Sequence, residues 1–193
     1  MRYDAEHKEQ TRRKVLAEAA AAIRKHGPGG IGVADLMAKV GLTHGGFYAH
    51  FESKDELIAE AISTMFDDRY AVFLSNVEGQ EPAKGLAAFM DGYLSAKHRD
   101  AMQSGCPLPS LSGDVARLPP AARKRFATGT RRLTSAIAEM LHAIGKPEPQ
   151  QLAASMLAEM VGALALSRAI ADQELSDQFL KSSRDSIKRR LLN

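Results

Sequence analysis

The sequence predicts an all-α protein, and three observations carry that reading. Apolar residues recur at helical spacing through almost all of the 193 residues, while no segment sustains the period-2 alternation of β-branched residues that marks a strand. Aromatic content is only 6% and Trp is absent, so Ala, Leu and Met fill the interior, and Ala and Leu are strong helix formers. Gly and Pro clusters then cut the chain into helix-length pieces.

The elements follow in order. Met1 to Gln10 is highly charged and reads as a frayed, solvated arm. A first helix runs from about Thr11 to His26, with Val15, Leu16, Ala19, Ala20 and Ile23 as its buried stripe, and Gly27-Pro28-Gly29-Gly30 stops it. A short helix spans about Val33 to Val40, and a second is capped by Thr43 and extends through Phe51. Ser53 and Glu56 form a capping-box pattern opening a longer helix through Phe66 and Phe73. Pro82 opens a helix to about Arg99, and Ser104 to Pro109 breaks the chain, with a short helix or turn near Leu108 to Asp114. Pro119-Pro120 begins a helix to Ile144. Two more run from about Pro149 to Ala171 and from about Leu175 to Leu191.

Composition excludes several classes. A formal net charge of +3 permits an anionic partner without demanding one. The single cysteine, Cys106, allows neither an intrachain disulfide nor a cysteine zinc cluster, which fits a reducing compartment and a cytoplasmic location. The charged N-terminus is not a secretory signal. The longest apolar stretch, Leu152 to Leu166, carries Ser155, Glu159 and Gly162 and reads as too short and too polar to span a bilayer. There is no Gly-rich phosphate loop, no His-Glu-x-x-His spacing and no nucleophile elbow. No catalytic residue, metal site or cofactor is therefore expected, and an enzyme is disfavoured.

Residues 33–51 have the form of a helix-turn-helix. Gly41 closes the first helix in the left-handed conformation, Leu42 plugs the angle, and Thr43 caps the second helix with its amides facing outward. That helix opens His44-Gly45-Gly46. Two glycines in a first turn cost roughly 1 kcal/mol each against Ala, a cost that close approach to another backbone justifies. A DNA major groove is such a setting. Phe47 and Phe51 fall on the core side, and Tyr48 and His50 carry polar tips suited to phosphate. Lys54 adds a cation at the next helix start, and Arg12-Arg13-Lys14 forms a basic run that is either a solvated face or a backbone contact.

The string Leu36 to Leu57, with its Gly-Leu-Thr turn, the run Gly-x-Phe-Tyr-x-His-Phe and the following Ser-Lys-Asp-Glu-Leu, resembles the TetR family of transcriptional repressors. The detailed resemblance covers about residues 9–68; beyond it only length, helicity and element order agree. It departs at Gly32, where Ser or Thr often caps, and at Met37, where Ala is usual. The resemblance implies a DNA-binding head at 8–68, continuous with a ligand-binding and dimerisation core at 69–193. It implies that Thr43, Tyr48, His50 and Lys54 hold phosphates, that His44 and Gly46 lie nearest base edges, and that Gly45 permits close approach to double-stranded operator DNA. A homodimer with a small-molecule effector is implied as well.

Expected pocket residues are Phe66, Phe89, Met90, Tyr93, Cys106, Met140, Met156 and Glu159, with Phe73 as a further wall residue; flexible Met side chains suit irregular cavities. Each apolar one reads first as an ordinary core residue. Glu159 and Arg168, charged on the most apolar helix, are expected to pair or to bind ligand, because a buried charge needs a partner. Cys106 is expected near the pocket mouth, either as a reactive thiol or as a small buried hydrophobe. The last two helices are expected to form the dimer through Met160, Ala163, Ser167, Ile170, Phe179, Ser183 and Ile187. The competing reading is a helical scaffold that binds protein and lacks DNA affinity. An activator also satisfies the head.

Overall fold

The computed structural model describes residues 2–192. Among them the chain is helical throughout and contains no strand. Helix α1 spans Arg2–His26. It thus begins well ahead of Thr11, and the expected frayed arm is helical from Arg2. No Gly or Pro interrupts residues 2–26, and Arg13 pairs with Glu9 one turn back at 3.0 Å. Met1 lies outside the described residues. Gly27 ends the helix with φ +74°, its N–H donating to the Ile23 carbonyl.

Helix α2 is Val33–Lys39 and α3 is Lys54–Val77. Between them a 3-10 helix spans His44–Ala49, tighter than the α-helix expected there. Helix α4, Pro82–Tyr93, stops at Leu94 rather than running to Arg99. The chain restarts as α5, Ala96–Asp100, because the Ser95 hydroxyl caps it, accepting from the His98 N–H at 3.2 Å. Then come α6, Pro107–Leu111; α7, Pro120–Ala143; α8, Pro149–Ala169; and α9, Gln173–Leu192.

One contiguous core runs through the whole molecule. At the N-terminal end Val15, Ala19 and Ile23 of α1 meet Leu36 and Met37 of α2, the rings of Phe47 and Phe51, and Leu57 of α3. In the body, α3 packs along α7, α7 on α8 and α8 on α9, with α4 against α3, α7 and α9. Helix α3 serves both parts. At about 1.5 Å per residue, its 24 residues carry an unbroken rod of roughly 36 Å from the head into the body.

Helix α8 is longer than the Leu152–Leu166 stretch picked out in the sequence. Its 21 residues are long and apolar enough to cross a membrane, but α8 packs between α7 and α9. Only 39% of its most apolar window is buried. Its outer side therefore leaves small and apolar residues uncovered.

Candidate nucleic-acid interface

The turn of the helix-turn-helix is fixed by two backbone hydrogen bonds. The Gly41 N–H donates to the Ala38 carbonyl at 3.1 Å, and the Leu42 N–H reaches back to the Met37 carbonyl at 2.9 Å. This is a Schellman closure, and it needs the left-handed residue that Gly41 supplies at φ +77°. Thr43, extended at φ −81° and ψ 156°, then caps the next element: its hydroxyl accepts from the Gly46 N–H at 3.3 Å.

The 3-10 helix presents one face inward and one outward. Phe47 is 2% exposed and stacks on Phe51 with ring centroids 5.5 Å apart. Tyr48, next along, is 66% exposed; it meets the Phe47 ring edge-on at 5.3 Å and His44 at 6.2 Å. Thr43, His44 and Gly45 are exposed and Gly46 half-buried. A methyl group added to Gly45 would touch nothing within 4 Å, and one on Gly46 would make only ordinary contact with Thr43 and Met37. Neither glycine has a positive φ. Nothing inside the protomer requires them.

His50 is half-buried, and its Nδ1 has no hydrogen-bond partner. Burial, then the nearby charges of Lys8 and Arg12, lower its pKa below that of free imidazole. Lys54 opens α3, half-buried beside the exposed Ser53. The Ser53 hydroxyl accepts from the Glu56 N–H at 3.1 Å, and the Glu56 carboxylate accepts from the Glu52 N–H at 2.6 Å. The capping box is thus present, with its return arm displaced one residue outward. Thr43, His44, Gly45 and Tyr48 are thus exposed, and Gly46, His50 and Lys54 half-buried, while Phe47 and Phe51 between them face the core.

Arg12 is not part of that surface. Its guanidinium is bonded to Glu60, approaches Glu56 at 3.5 Å and covers the Phe51 ring at 4.5 Å. Within the basic run, Arg13 and Lys14 remain exposed. Arg24 escaped notice in the sequence because it sits in a basic helix end that reads as solvated. It is 5% exposed and bonds Asp68 at 2.9 Å, the Met65 carbonyl and the Gln103 carbonyl.

The expected pocket residues divide. Phe89, Met90, Tyr93, Cys106 and Met156 are fully buried together. Met140 is half-buried, its methyl against Gly85. Phe66 instead floors an open groove of about 520 Å³ between α3 and α7, rimmed by Lys124, Arg125 and Arg132. Glu159 faces outward, pairing with Arg190 at 2.7 Å beside a groove of about 420 Å³ that includes Phe179 and Ser183. Arg168 does not pair with Glu159; it donates to the His98 and Arg99 carbonyls at 3.0 and 3.1 Å. Cys106 is in the interior, not at a mouth, and desolvation raises its pKa. Of the residues expected at the dimer face, Met160, Ala163, Ser167 and Ile187 are buried within the protomer. Ile170, Phe179 and Ser183 are half-buried. The uncovered face of α8 lies one step round, at Ala154, Ala158, Val161, Gly162, Ala165 and Leu166.

A capped, glycine-faced helix on a three-helix head, joined to an all-α body, defines a helix-turn-helix DNA-binding transcription regulator rather than an enzyme. A family model described as bacterial regulatory proteins, tetR family, matches residues 15–61, and one described as the tetracyclin repressor-like C-terminal domain matches residues 82–183. The chain belongs to the TetR family. A regulator from Chloroflexus aurantiacus J-10-FL is 25% identical with a TM-score of 0.83, covering 97% of both chains. The reduced form of E. coli NemR shares the fold at 20% identity and a TM-score of 0.83, covering 93% of this chain and 96% of its own. A regulator from Rhodococcus sp. Rha1 is 25% identical with a TM-score of 0.74, covering 94% of this chain and 95% of its own. No curated protein matches.

Proposed function

We propose that this regulator is a cytoplasmic homodimeric repressor, released from its operator when a small molecule enters the body of each protomer. The unbroken run of α3 carries this reading. Lys54 stands at its first turn, beside the outward face of the head, and Phe66, Arg69 and Phe73 of the same helix are buried in the body. A tilt of α3 that accommodates a ligand therefore moves the head as a rigid extension. Two heads must meet successive major grooves about 34–36 Å apart, so a small change in their separation costs both half-sites at once.

Thr43, Tyr48, His50 and Lys54 hold the phosphates in this reading, and His44 and Gly46 lie nearest base edges. The second copy packs against the outer face of α8 and against α9 around Phe179 and Ser183. The test is operator binding by fluorescence anisotropy, with operators selected from genomic DNA, before and after addition of candidate effectors. Saturable loss of affinity is expected. An effector that binds the protein yet leaves operator affinity unchanged overturns release. One that raises affinity overturns repression by this route.

A further inference from the structure

Arg69 is a buried cation for which the described residues supply no carboxylate. It sits mid-α3, only 7% exposed, with its guanidinium over the rings of Tyr93 at 4.9 Å and Phe89 at 5.4 Å. Its Nε has no hydrogen-bond partner. The groups that favour its charge are the Cys106 thiol and the Tyr93 phenol, both ordinarily neutral. The stacked rings supply cation–π attraction, but that does not replace the hydrogen bonds a guanidinium loses on leaving water.

The neighbours sharpen the imbalance. The Tyr93 hydroxyl is enclosed, with no partner but the weakly hydrogen-bonding Cys106 thiol beside it. His98 cannot serve as an anion or a mobile proton source. Its Nδ1 meets the Tyr93 carbonyl at 2.8 Å and its Nε2 accepts from the Cys106 N–H at 3.0 Å, so the ring is held neutral with both nitrogens used. Arg168 adds a second positive charge, bound to backbone carbonyls. Asp100, the acid that acts on Arg168, is itself paired with Arg99. The interior between α3, α4 and the start of α6 therefore carries positive charge, an idle guanidinium nitrogen and a phenolic donor with nothing stronger than a thiol to receive it.

We propose that this interior site binds the carboxylate of a small organic acid, with Arg69 as its counter-ion and the Tyr93 hydroxyl as a further donor. Two N–H groups of a guanidinium match two carboxylate oxygens, and the phenolic O–H donates to one of them. Phe89, under the guanidinium, meets Phe73 edge-on at 5.0 Å, so the acid's tail would lie against aromatic rings. The proposal rests on the release reading for its consequence, since an anion at Arg69 engages the helix that starts at Lys54. Its binding chemistry stands apart from that reading.

The test is thermal denaturation of the full chain without DNA, with formate, acetate and benzoate as probes and benzyl alcohol as neutral isostere, at matched ionic strength. At least one carboxylate is expected to raise the midpoint saturably while benzyl alcohol does not. Arg69→Met is expected to abolish the response and to melt higher than wild type in buffer without carboxylate. Tyr93→Phe, which keeps the ring, is expected to weaken binding about fivefold, as loss of one hydrogen bond does. No saturable response to any of the three acids, or an Arg69→Met protein that responds like wild type, overturns the site. So does a Cys106 thiolate at neutral pH, seen by its ultraviolet absorbance and lost in Cys106→Ser, because the counter-ion is then built in. Operator anisotropy is read separately: acid binding without operator loss leaves the site standing and defeats release.

Discussion

The Arg24 guanidinium donates to the Gln103 carbonyl at 3.3 Å across 79 residues of sequence. The same group holds Asp68 and the Met65 carbonyl of α3. One side chain near the end of the head's first helix thus ties together α1, α3 and the turn leading to Cys106. Arg24→Met removes the fork, leaving the buried Met65 carbonyl without its side-chain donor and Asp68 without its cation, so stability is expected to fall by about 1–3 kcal/mol. Arg24→Lys, with fewer donors in a different geometry, recovers only part. Urea denaturation measures both. A Met variant as stable as wild type shows that the clamp contributes nothing.

Gly45 separates a folding requirement from a binding requirement. Its added methyl meets no atom within 4 Å and its φ is not positive, so Gly45→Ala keeps or raises stability, by up to about 1 kcal/mol. In the proposed DNA-bound state the same methyl would stand between helix and base edges. Operator affinity is expected to drop about tenfold, roughly 1.4 kcal/mol, while the melting midpoint holds. Unchanged affinity in that variant removes Gly45 from the interface.

Much of this was legible in the sequence, for identifiable reasons. Gly41, Thr43, Phe47 and Ser53 each act through local chemistry, so the turn, the caps and the inward rings follow from spacing, although residues 44–49 wind as a 3-10 helix rather than the expected α-helix. The body was legible as helices but not as a site. The break at Leu94 was missed because Ser95, a cap, lies between apolar residues that continue the helical period on either side. Arg69 and Arg24 were missed because charge in a helix reads as solvent-facing, and only the packing of α4 and α6 against α3 and of α3 against α1 shows them enclosed. A helix apolar all round gives no phase, and the exposed side of α8 falls one step from the residues expected at the dimer face.

His98 makes stability pH-dependent. Burial, followed by the charge of Arg69, lowers its pKa from 6.5 to about 4. Between those values the unfolded chain holds a proton that the folded chain refuses. Stability from this group is therefore complete above about pH 6.5 and is lost as pH falls toward 4, by about 3 kcal/mol in all if the shift is realised in full. Denaturation across that range checks the slope. His98→Gln is expected to be less stable at neutral pH but flatter below it, and a wild-type slope in that variant assigns the effect to another group.

Leu166 tests the outer face of α8. It is 50% exposed on a helix whose neighbouring outward positions are Ala158, Val161, Gly162 and Ala165. An isolated protomer gains little by keeping a large apolar side chain there, and small residues beside it allow another helix to approach closely. Leu166→Glu changes an exposed position, so the protomer's own stability is expected to shift by no more than about 0.5 kcal/mol. In a face-to-face pair the two introduced carboxylates lie near each other across the symmetry axis, desolvated and of like sign. Sedimentation is expected to show a monomer, and operator affinity to fall more than about a hundredfold, because each head then binds without the effective concentration its partner supplied. A Leu166→Glu protein that remains dimeric moves the interface elsewhere. One that turns monomeric yet keeps full affinity removes the need for two heads.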